Sequence, residues 1–424
     1  MMQLKNITHH PFFLGCLFFT VQLSLILFIC PEKTLATSWL SLATHWDSEW
    51  YEAIAQFGYI NIDGPTHTGL THANVVFFPG YPYLARLCIV LFGINAKTAL
   101  LVISQSAALL FWCLFFYIIR HVKYTEQLCA ALLVMTFPTS WFLFTGYSES
   151  LFMFACCLTL WLALEKRWIL SSLSGVLMTA TRLVGVPVLI APLLSLMVMK
   201  FTKKRPLIVN GNATTQTLKS PSLLVFFGAL GCIGFLTYCA IAFDSWHLYF
   251  DMERIGWKGT ADPLFLFKLP TWLPPPFGYD LDLAPPLPNG YASLFILKCF
   301  RFAAYTFSET LVPIFLWIGI LFFICLCKKT HRLDQNSLTW FLGAALLFLL
   351  TCFSLSTRHY ESMSRCLYPV WVLLVISDII HPDKIFLFRL GRMKLSIAML
   401  VITFISFGFW LQLLNRFFLG WWVA

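Results

Sequence analysis

The sequence predicts an all-α polytopic membrane protein, and three features of its composition carry that prediction. Hydrophobic residues make up 59% of the 424 residues, whereas charged residues make up 11%, against roughly a quarter in a typical soluble protein. The mean hydropathy is +0.77, and a soluble domain could not hide that much apolar surface. Apolar blocks of about 20 residues, the length that crosses a bilayer as a helix, recur along the whole chain.

These blocks predict about eleven transmembrane helices. The first is expected to be a retained span, because its apolar run is too long for a signal peptide. The block at 84–94 is too short to cross a bilayer, and 169–183 with 186–199 could form one broken helix. The predicted spans are 11–30, 98–118, 126–145, 149–164, 169–183, 186–199, 222–243, 306–327, 337–355, 366–380 and 396–416.

Positive charges orient these spans. If the N-terminus is cytoplasmic, most of the 29 Lys and Arg residues lie in short inner loops and most of the 19 acidic residues lie outside, as cytoplasmic loops generally show. The net charge of +10 then reflects those loops, so no nucleic-acid partner is expected. We treat 1–424 as a single integral membrane domain with two long outer loops, 31–97 and 244–305.

The first outer loop contains an unusual acidic and aromatic stretch, Trp46-Asp47-Ser48-Glu49-Trp50-Tyr51. Residues 45–58 are predicted to form an amphipathic helix on the membrane surface, with Asp47 and Tyr51 on one face. Its predicted apolar stripe consists of Trp46, Trp50, Ala53, Ile54 and Phe57.

The position of Asp47 allows two interpretations. Charge is costly near hydrocarbon and tends to be functional there, which makes Asp47 a candidate catalytic base. Thr44 and Asp47 also have the spacing of a capping box, in which Asp47 would serve only the helix start. Glu49 could join Asp47 in a divalent-metal site, but residues two apart on a helix point in different directions. A surface position is therefore preferred for Glu49, and no metal or cofactor is predicted.

Polar residues at the ends of later spans could complete a site. Glu149 opens one predicted span and Arg182 closes another, so Arg182 is expected to pair with Glu149 or to bind a lipid phosphate. The last outer loop contains Arg358, His359 and Arg365, a group that suits an anionic phosphate, although the arginines could also simply snorkel to the interface. A second interfacial helix is predicted at 244–258, in the fourth outer loop.

Five short motifs follow one another from the first outer loop to the end of the chain: Trp46-Asp47-Ser48-x-Trp50-Tyr51, Phe77-Phe78-Pro79-Gly80-Tyr81-Pro82, Tyr147-Ser148-Glu149-Ser150-Leu151-Phe152, Thr181-Arg182-x-x-Gly185 and Gly420-Trp421-Trp422-Val423-Ala424. In this order they resemble the PIG-V family of GPI mannosyltransferase II-like membrane enzymes. The resemblance implies a GT-C glycosyltransferase architecture and an inverting transfer of mannose from polyprenyl-phosphate or dolichyl-phosphate mannose. In eukaryotic members the product is an α-1,6 linkage on a GPI precursor.

The acidic first-loop motif of that family falls on Asp47, which favours the catalytic interpretation. Arg365, Arg358 and Arg182 are then candidates for binding the donor phosphate, with Trp46, Tyr51, Glu149 and His359 as supporting residues.

The expected partners are a lipid-linked sugar donor, a glycolipid or glycan acceptor and the bilayer. The active site would face the lumen of the endoplasmic reticulum in a eukaryote, or the periplasm from the inner membrane in a bacterium. A lipid-linked sugar flippase or transporter and a non-catalytic assembly subunit are the alternatives.

Overall fold

A computed structural model describes residues 10–30, 35–59, 73–201, 219–256, 320–321, 324, 334–355, 363–381 and 394–418. All regular structure within these residues is helical. The α-helices are α1 (Pro11–Ile29), α2 (Leu35–Leu42), α3 (Asp47–Phe57), α4 (Gly80–Phe92), α5 (Ala96–Ile118), α6 (Tyr124–Met135), α7 (Glu149–Leu164), α8 (Trp168–Thr181), α9 (Ala191–Phe201), α10 (Lys219–Gly228), α11 (Leu230–Phe243), α12 (Leu248–Gly256), α13 (Gln335–Leu355), α14 (Met363–Ile380) and α15 (Lys394–Phe418). Short 3-10 helices occupy Ala73–Val76, Ser140–Phe144 and Leu183–Ile190.

The prediction of an all-α polytopic membrane protein is confirmed for the described part of the chain. Five helical stretches there are long and apolar enough to cross a membrane: Pro11–Ile29, Ala96–Ile118, Leu183–Phe201, Pro221–Phe243 and Gln335–Ser354. The predicted spans 366–380 and 396–416 are also helical, as parts of α14 and α15. The predicted span 306–327 lies almost wholly outside the described residues.

Two predicted spans are interrupted. Residues 126–145 form α6 and then a 3-10 helix, with Pro138 in the gap; proline lacks the N–H that would continue an α-helix. Farther along, the chain breaks at Arg182, whose backbone is extended (φ −152°, ψ 136°). The following stretch, Leu183–Phe201, starts as a 3-10 helix around Pro187 and continues as α9. The break predicted between 169–183 and 186–199 is therefore present.

Most helices share one apolar core. Helix α5 packs on both α1 and α7, α7 packs on α8, and α13 packs on α14. The largest side chains in this core that are completely buried are Trp112, Trp141, Trp340 and Trp410.

A neutral hydrogen-bonded network lies within this core and joins four helical segments. The Gln22 amide donates to Ser140 Oγ at 3.0 Å, and its oxygen accepts from the Trp112 indole at 3.2 Å. The Trp410 indole also donates to Ser140 Oγ, at 3.0 Å, and the Ser140 hydroxyl donates to the Met135 carbonyl. We call Gln22, Trp112, Ser140 and Trp410 the neutral network.

A second, aromatic core anchors α3. Trp50 stacks on Phe77 at 5.7 Å between ring centroids, and the Tyr51 ring meets Phe77 and Tyr81 edge-on at 5.1 and 5.0 Å. Gly80 allows α4 to begin close to the end of α8, because a Cβ there would lie 2.8 Å from the Ala180 carbonyl oxygen. The Phe77–Pro82 motif thus supplies the surface on which α3 rests.

The apolar residues of α3 are divided between the protein interior and its surface. Trp50 and Ile54 are buried, whereas Trp46 is 39% and Phe57 57% exposed. Tyr51 is buried as well. The reason is that α3 packs against α4 and α5, which turns the Tyr51 face inward. The second predicted interfacial helix is α12, which has no buried residue. Its Asp251 carboxylate lies 3.2 Å from the ring of His247, the residue just before the helix.

Candidate functional site

The segment that precedes α3 holds the loop between the 3-10 helix Ser140–Phe144 and α7. The Gly146 N–H donates to the Ala43 carbonyl at 2.8 Å, and the Ser48 hydroxyl donates to the Gly146 carbonyl at 2.8 Å. The Tyr147 hydroxyl donates to the His45 carbonyl at 3.0 Å. A Cβ at Gly146 would come within 3.0 Å of Ser48 Oγ, so glycine suits this close approach. These contacts fix the start of α3 against the start of α7.

The capping box predicted from Thr44 and Asp47 is not formed. Helix α3 begins at Asp47 itself, so that Trp46 and not Thr44 is the N-cap residue, and Trp46 makes no side-chain capping bond. The Thr44 hydroxyl donates to the Leu40 carbonyl at 2.5 Å. Trp46 has φ +59° and ψ −115°, a backbone conformation that costs of order 1–3 kcal/mol and is concentrated at functional sites.

Four charged side chains from four segments meet beside this loop. Arg365 Nη1 lies 2.8 Å from Asp47 Oδ2, and Arg365 Nε lies 3.3 Å from Glu149 Oε1. Arg182 Nη2 reaches the same Glu149 oxygen at 2.5 Å, so the predicted Arg182–Glu149 ion pair is confirmed. We call Asp47, Glu149, Arg182 and Arg365 the charge cluster.

The cluster lies where helices begin and end. Asp47 and Glu149 are the first residues of α3 and α7, Arg182 follows α8, and Arg365 is in the first turn of α14. Acidic side chains in the first turn of a helix are stabilised by its dipole. The alternation of predicted spans gives all four positions the same membrane side, and their mutual contacts agree with that expectation.

Burial differs across the charge cluster. The side chains of Glu149 and Arg365 are 2% and 8% exposed, whereas those of Asp47 and Arg182 are each 17% exposed. Two carboxylates face two guanidinium groups, so the formal charge of the cluster is zero. Neither Arg365 contact has the alignment of a hydrogen bond, and Glu149 Oε2 is buried with no hydrogen-bond partner in the described structure.

Aromatic rings and one serine hold the cluster in place. The Arg365 guanidinium lies over the rings of Phe142 and Tyr147, at 5.3 and 5.1 Å from their centroids, a favourable cation–π geometry. Ser148 Oγ accepts from Arg182 Nε at 3.1 Å and lies 2.9 Å from the Tyr51 hydroxyl. Burial raises the pKa of Tyr51 to about 12, so this hydroxyl stays protonated at neutral pH.

The structure thus brings together Asp47, Glu149, Arg182 and Arg365, with Tyr51 linked through Ser148 and Trp46 directly adjacent in sequence. Arg358 and His359 lie outside the described residues. Glu49 belongs to no group of three or more metal-ligating side chains in the part of the chain that is described.

Sequence reasoning did not assign roles to Phe142, Ser148 and Cys366. The sulfur of Cys366 lies 4.0 Å from Arg182 Nη1. Two signals pointed to Ser148: its position in a polar run between two apolar spans and its place in the Tyr147–Phe152 motif. Phe142 is indistinguishable in sequence from other core aromatics.

Chemically, the cluster presents one partly exposed carboxylate beside one permanently charged guanidinium. The carboxylate of Asp47 is able to accept a proton, and an arginine is suited to bind phosphate oxygens in its planar fork. No family model, no curated protein and no solved structure matches the chain.

Proposed function

We propose that the protein is an inverting glycosyltransferase that moves a mannosyl residue from polyprenyl-phosphate or dolichyl-phosphate mannose to a glycolipid or glycan acceptor. The observation that supports this most directly is the 2.8 Å contact between Asp47 and Arg365. In this contact a carboxylate that could deprotonate the acceptor, Asp47, lies beside a cation that could stabilise the departing phosphate, Arg365. The sequence motifs that resemble the PIG-V family supply the choice of mannose and of a lipid-linked donor.

In the proposed reaction, Asp47 removes the proton from an acceptor hydroxyl. The acceptor oxygen then forms a bond to the anomeric carbon of the donor, and the bond from that carbon to the phosphate oxygen breaks with inversion. General-base help of this kind contributes roughly 10²–10⁴ to the rate. Arg365 and Arg182 stabilise the negative charge that develops on the phosphate.

The proposed location follows from charge and depth. The charge-based orientation assigns the charge cluster to the lumenal or periplasmic surface, in the endoplasmic reticulum membrane of a eukaryote or the inner membrane of a bacterium. At that surface a lipid phosphate and a polar acceptor are able to meet. A GPI precursor receiving an α-1,6 linkage is the acceptor that the family resemblance suggests for a eukaryotic protein.

Transfer from labelled polyprenyl-phosphate mannose by the purified protein tests this function with a panel of glycolipid and glycan acceptors. We expect Asp47→Asn to lower the transfer rate by roughly 10²–10⁴. Glu52→Gln is the matched control, because Glu52 lies on the same helix and pairs with Lys97 at 3.9 Å, away from the cluster.

Three outcomes would point elsewhere. A folded Asp47→Asn protein with full transfer activity refutes the base assignment. A wild-type protein that moves the intact lipid-linked sugar across liposomes without transferring mannose is a flippase or transporter. If transfer in membranes requires the chain but is insensitive to Asp47→Asn, the chain is an assembly subunit.

A further inference from the structure

The charge cluster poses a problem for anion binding. Its two guanidinium groups are already matched by two carboxylates, so an arriving phosphate finds no net positive charge. A phosphate that approaches Arg365 therefore competes with its carboxylate partners for the charge of the guanidinium. The two partners, Asp47 and Glu149, differ in ways that decide which one gives way.

Glu149 is the fixed partner. It is 2% exposed, and its Oε1 is shared by Arg182 and Arg365. Arg182 is further held by Ser148. If Glu149 separated from Arg365, its buried carboxylate would lose one of its two countercharges in an apolar environment, which is strongly unfavourable.

Asp47 is the exchangeable partner. Its side chain is 17% exposed, so a ligand from outside is able to reach it, and its contact with Arg365 is an ion pair without hydrogen-bond alignment. The rings of Phe142 and Tyr147 keep the guanidinium in position when Asp47 turns away. Because the backbone around Asp47 is tied to the Gly146–Tyr147 loop, the exchange needs only a side-chain rotation.

We infer that the Asp47–Arg365 ion pair is exchanged during the reaction for an ion pair between Arg365 and the phosphate of a lipid-linked donor. The inference rests on the proposed function. In the resting protein Arg365 is paired with Asp47, the proposed base. When the donor binds, its phosphate pairs with Arg365 instead, and Asp47 becomes free to accept a proton. Arg365 therefore acts as the shared partner of the base and the leaving group.

The exchange also couples the two halves of the chemistry. When the acceptor O–H bond breaks, the proton goes to Asp47 and cancels its negative charge. As the bond between the anomeric carbon and the phosphate oxygen breaks, its electron pair stays on that oxygen, so the phosphate gains one negative charge. The ion pair between Arg365 and the phosphate, formed when the donor binds, therefore strengthens as the leaving group departs, and the neutralised Asp47 no longer competes for Arg365. This stabilisation is stronger in the transition state than in the ground state.

Binding of decaprenyl phosphate to the purified protein, compared with uncharged decaprenol, tests the exchange without requiring transfer. If the Asp47–Arg365 ion pair is formed in most molecules of the unliganded protein, removing the charge of Asp47 tightens phosphate binding by about tenfold or more. We expect this gain in Asp47→Asn and in Asp47→Ala, for decaprenyl phosphate only. Asp47→Glu, which keeps the competing charge, is expected to show a smaller gain than Asp47→Asn or Asp47→Ala. Glu52→Gln, away from the cluster, is expected to bind as the wild type does.

The two proposals fail in different ways. If the wild type binds decaprenyl phosphate no better than decaprenol, the proposed donor site is wrong. If it does discriminate, but neither Asp47→Asn nor Asp47→Ala binds the phosphate more tightly, the exchange is wrong and the proposed function stands. A gain seen equally with decaprenol also overturns the exchange, because it would then be unrelated to charge.

Discussion

The protein contains two buried polar assemblies that follow opposite rules. In the neutral network, Ser140 Oγ accepts two hydrogen bonds and donates one, which uses the full capacity of a hydroxyl. In the charge cluster, one oxygen of Glu149 receives both arginines while the other has no hydrogen-bond partner in the described structure. Every side-chain polar atom of the neutral network has a hydrogen-bond partner, whereas one carboxylate oxygen of the charge cluster has none in the described structure.

This difference supports the functional role proposed for the charge cluster. A complete neutral network ties helices together at a modest net gain per hydrogen bond. Burying four charges is far more costly, and a buried ion pair contributes little to stability compared with an apolar replacement. An incomplete and costly assembly at helix ends, with one partly exposed carboxylate, is therefore better explained by a ligand than by folding alone.

The largest expected effect comes from removing the shared carboxylate of the charge cluster. Glu149→Gln removes the carboxylate that buried Arg365 and partly exposed Arg182 share, and breaking a buried pair in this way costs about 3–5 kcal/mol. We expect a correspondingly lower free energy of unfolding in detergent micelles. Transfer activity should fall as well, because Arg182 and Arg365 lose the group that fixes their positions.

A double-mutant cycle with Arg182→Gln provides the control. If the pair acts as a unit, the double variant is more stable than the sum of the two single changes implies. If the two changes in the free energy of unfolding were additive, Glu149 and Arg182 would not be energetically coupled. The charge cluster would then not act as a unit.

A smaller effect is expected from the neutral network. Ser140→Ala removes the acceptor for the Gln22 amide and the Trp410 indole, which costs about 1–2 kcal/mol. Because Ser140 makes no contact with the charge cluster, the transfer rate per folded molecule should stay within about twofold of wild type. The measurement pairs thermal unfolding with transfer assays below the melting temperature.

The Ser140 variant tests most directly whether the neutral network has only a structural role. If Ser140→Ala abolished transfer while leaving the melting temperature unchanged, the neutral network would itself belong to the functional machinery. Trp112→Phe is a second test of the neutral network, because it removes only the indole donor to Gln22 and keeps an aromatic ring in the core.

The sequence was sufficient for the fold class because hydrophobicity is a property of each segment taken alone. It also identified Asp47, Glu149, Arg182 and Arg365 separately, since charges are rare in this chain and each stands at the edge of an apolar block. The outer-side assignment, applied to every span in turn, correctly implied that these four residues share one end of the bundle.

What the sequence did not reveal depends on contacts between distant segments. The spacing of Thr44 and Asp47 fits a capping box, but the hydroxyl of Thr44 bonds to Leu40 instead. The link between Asp47 and Arg365 spans most of the chain, and no local pattern encodes it. The burial of Tyr51 was not predicted for the same reason, because helical periodicity does not say that Tyr51 faces α4 and Ser148.

The smallest expected effect is a pH dependence that only one of the two assemblies has. The neutral network contains no titratable group near neutral pH, whereas His45 lies beside the charge cluster and its carbonyl accepts from Tyr147. Burial lowers the pKa of His45, as does Lys97, while Glu49 acts in the opposite direction. The folded protein therefore binds a proton at His45 less readily than the unfolded chain, whose histidine titrates near its ordinary value of 6.5.

The sign of the effect follows from this difference. The stability that His45 contributes is present above pH 6.5 and is lost as the pH falls toward its lower folded-state pKa. Because the ring is partly exposed, solvent screening keeps the change small. We expect the drop in melting temperature between pH 7.5 and 5.5 to be smaller in His45→Gln than in wild type, by roughly 1 °C. Ser140→Ala should instead lower the melting temperature equally at both pH values. If it changed the pH dependence as much as His45→Gln did, the titration would not belong to the residues beside the charge cluster.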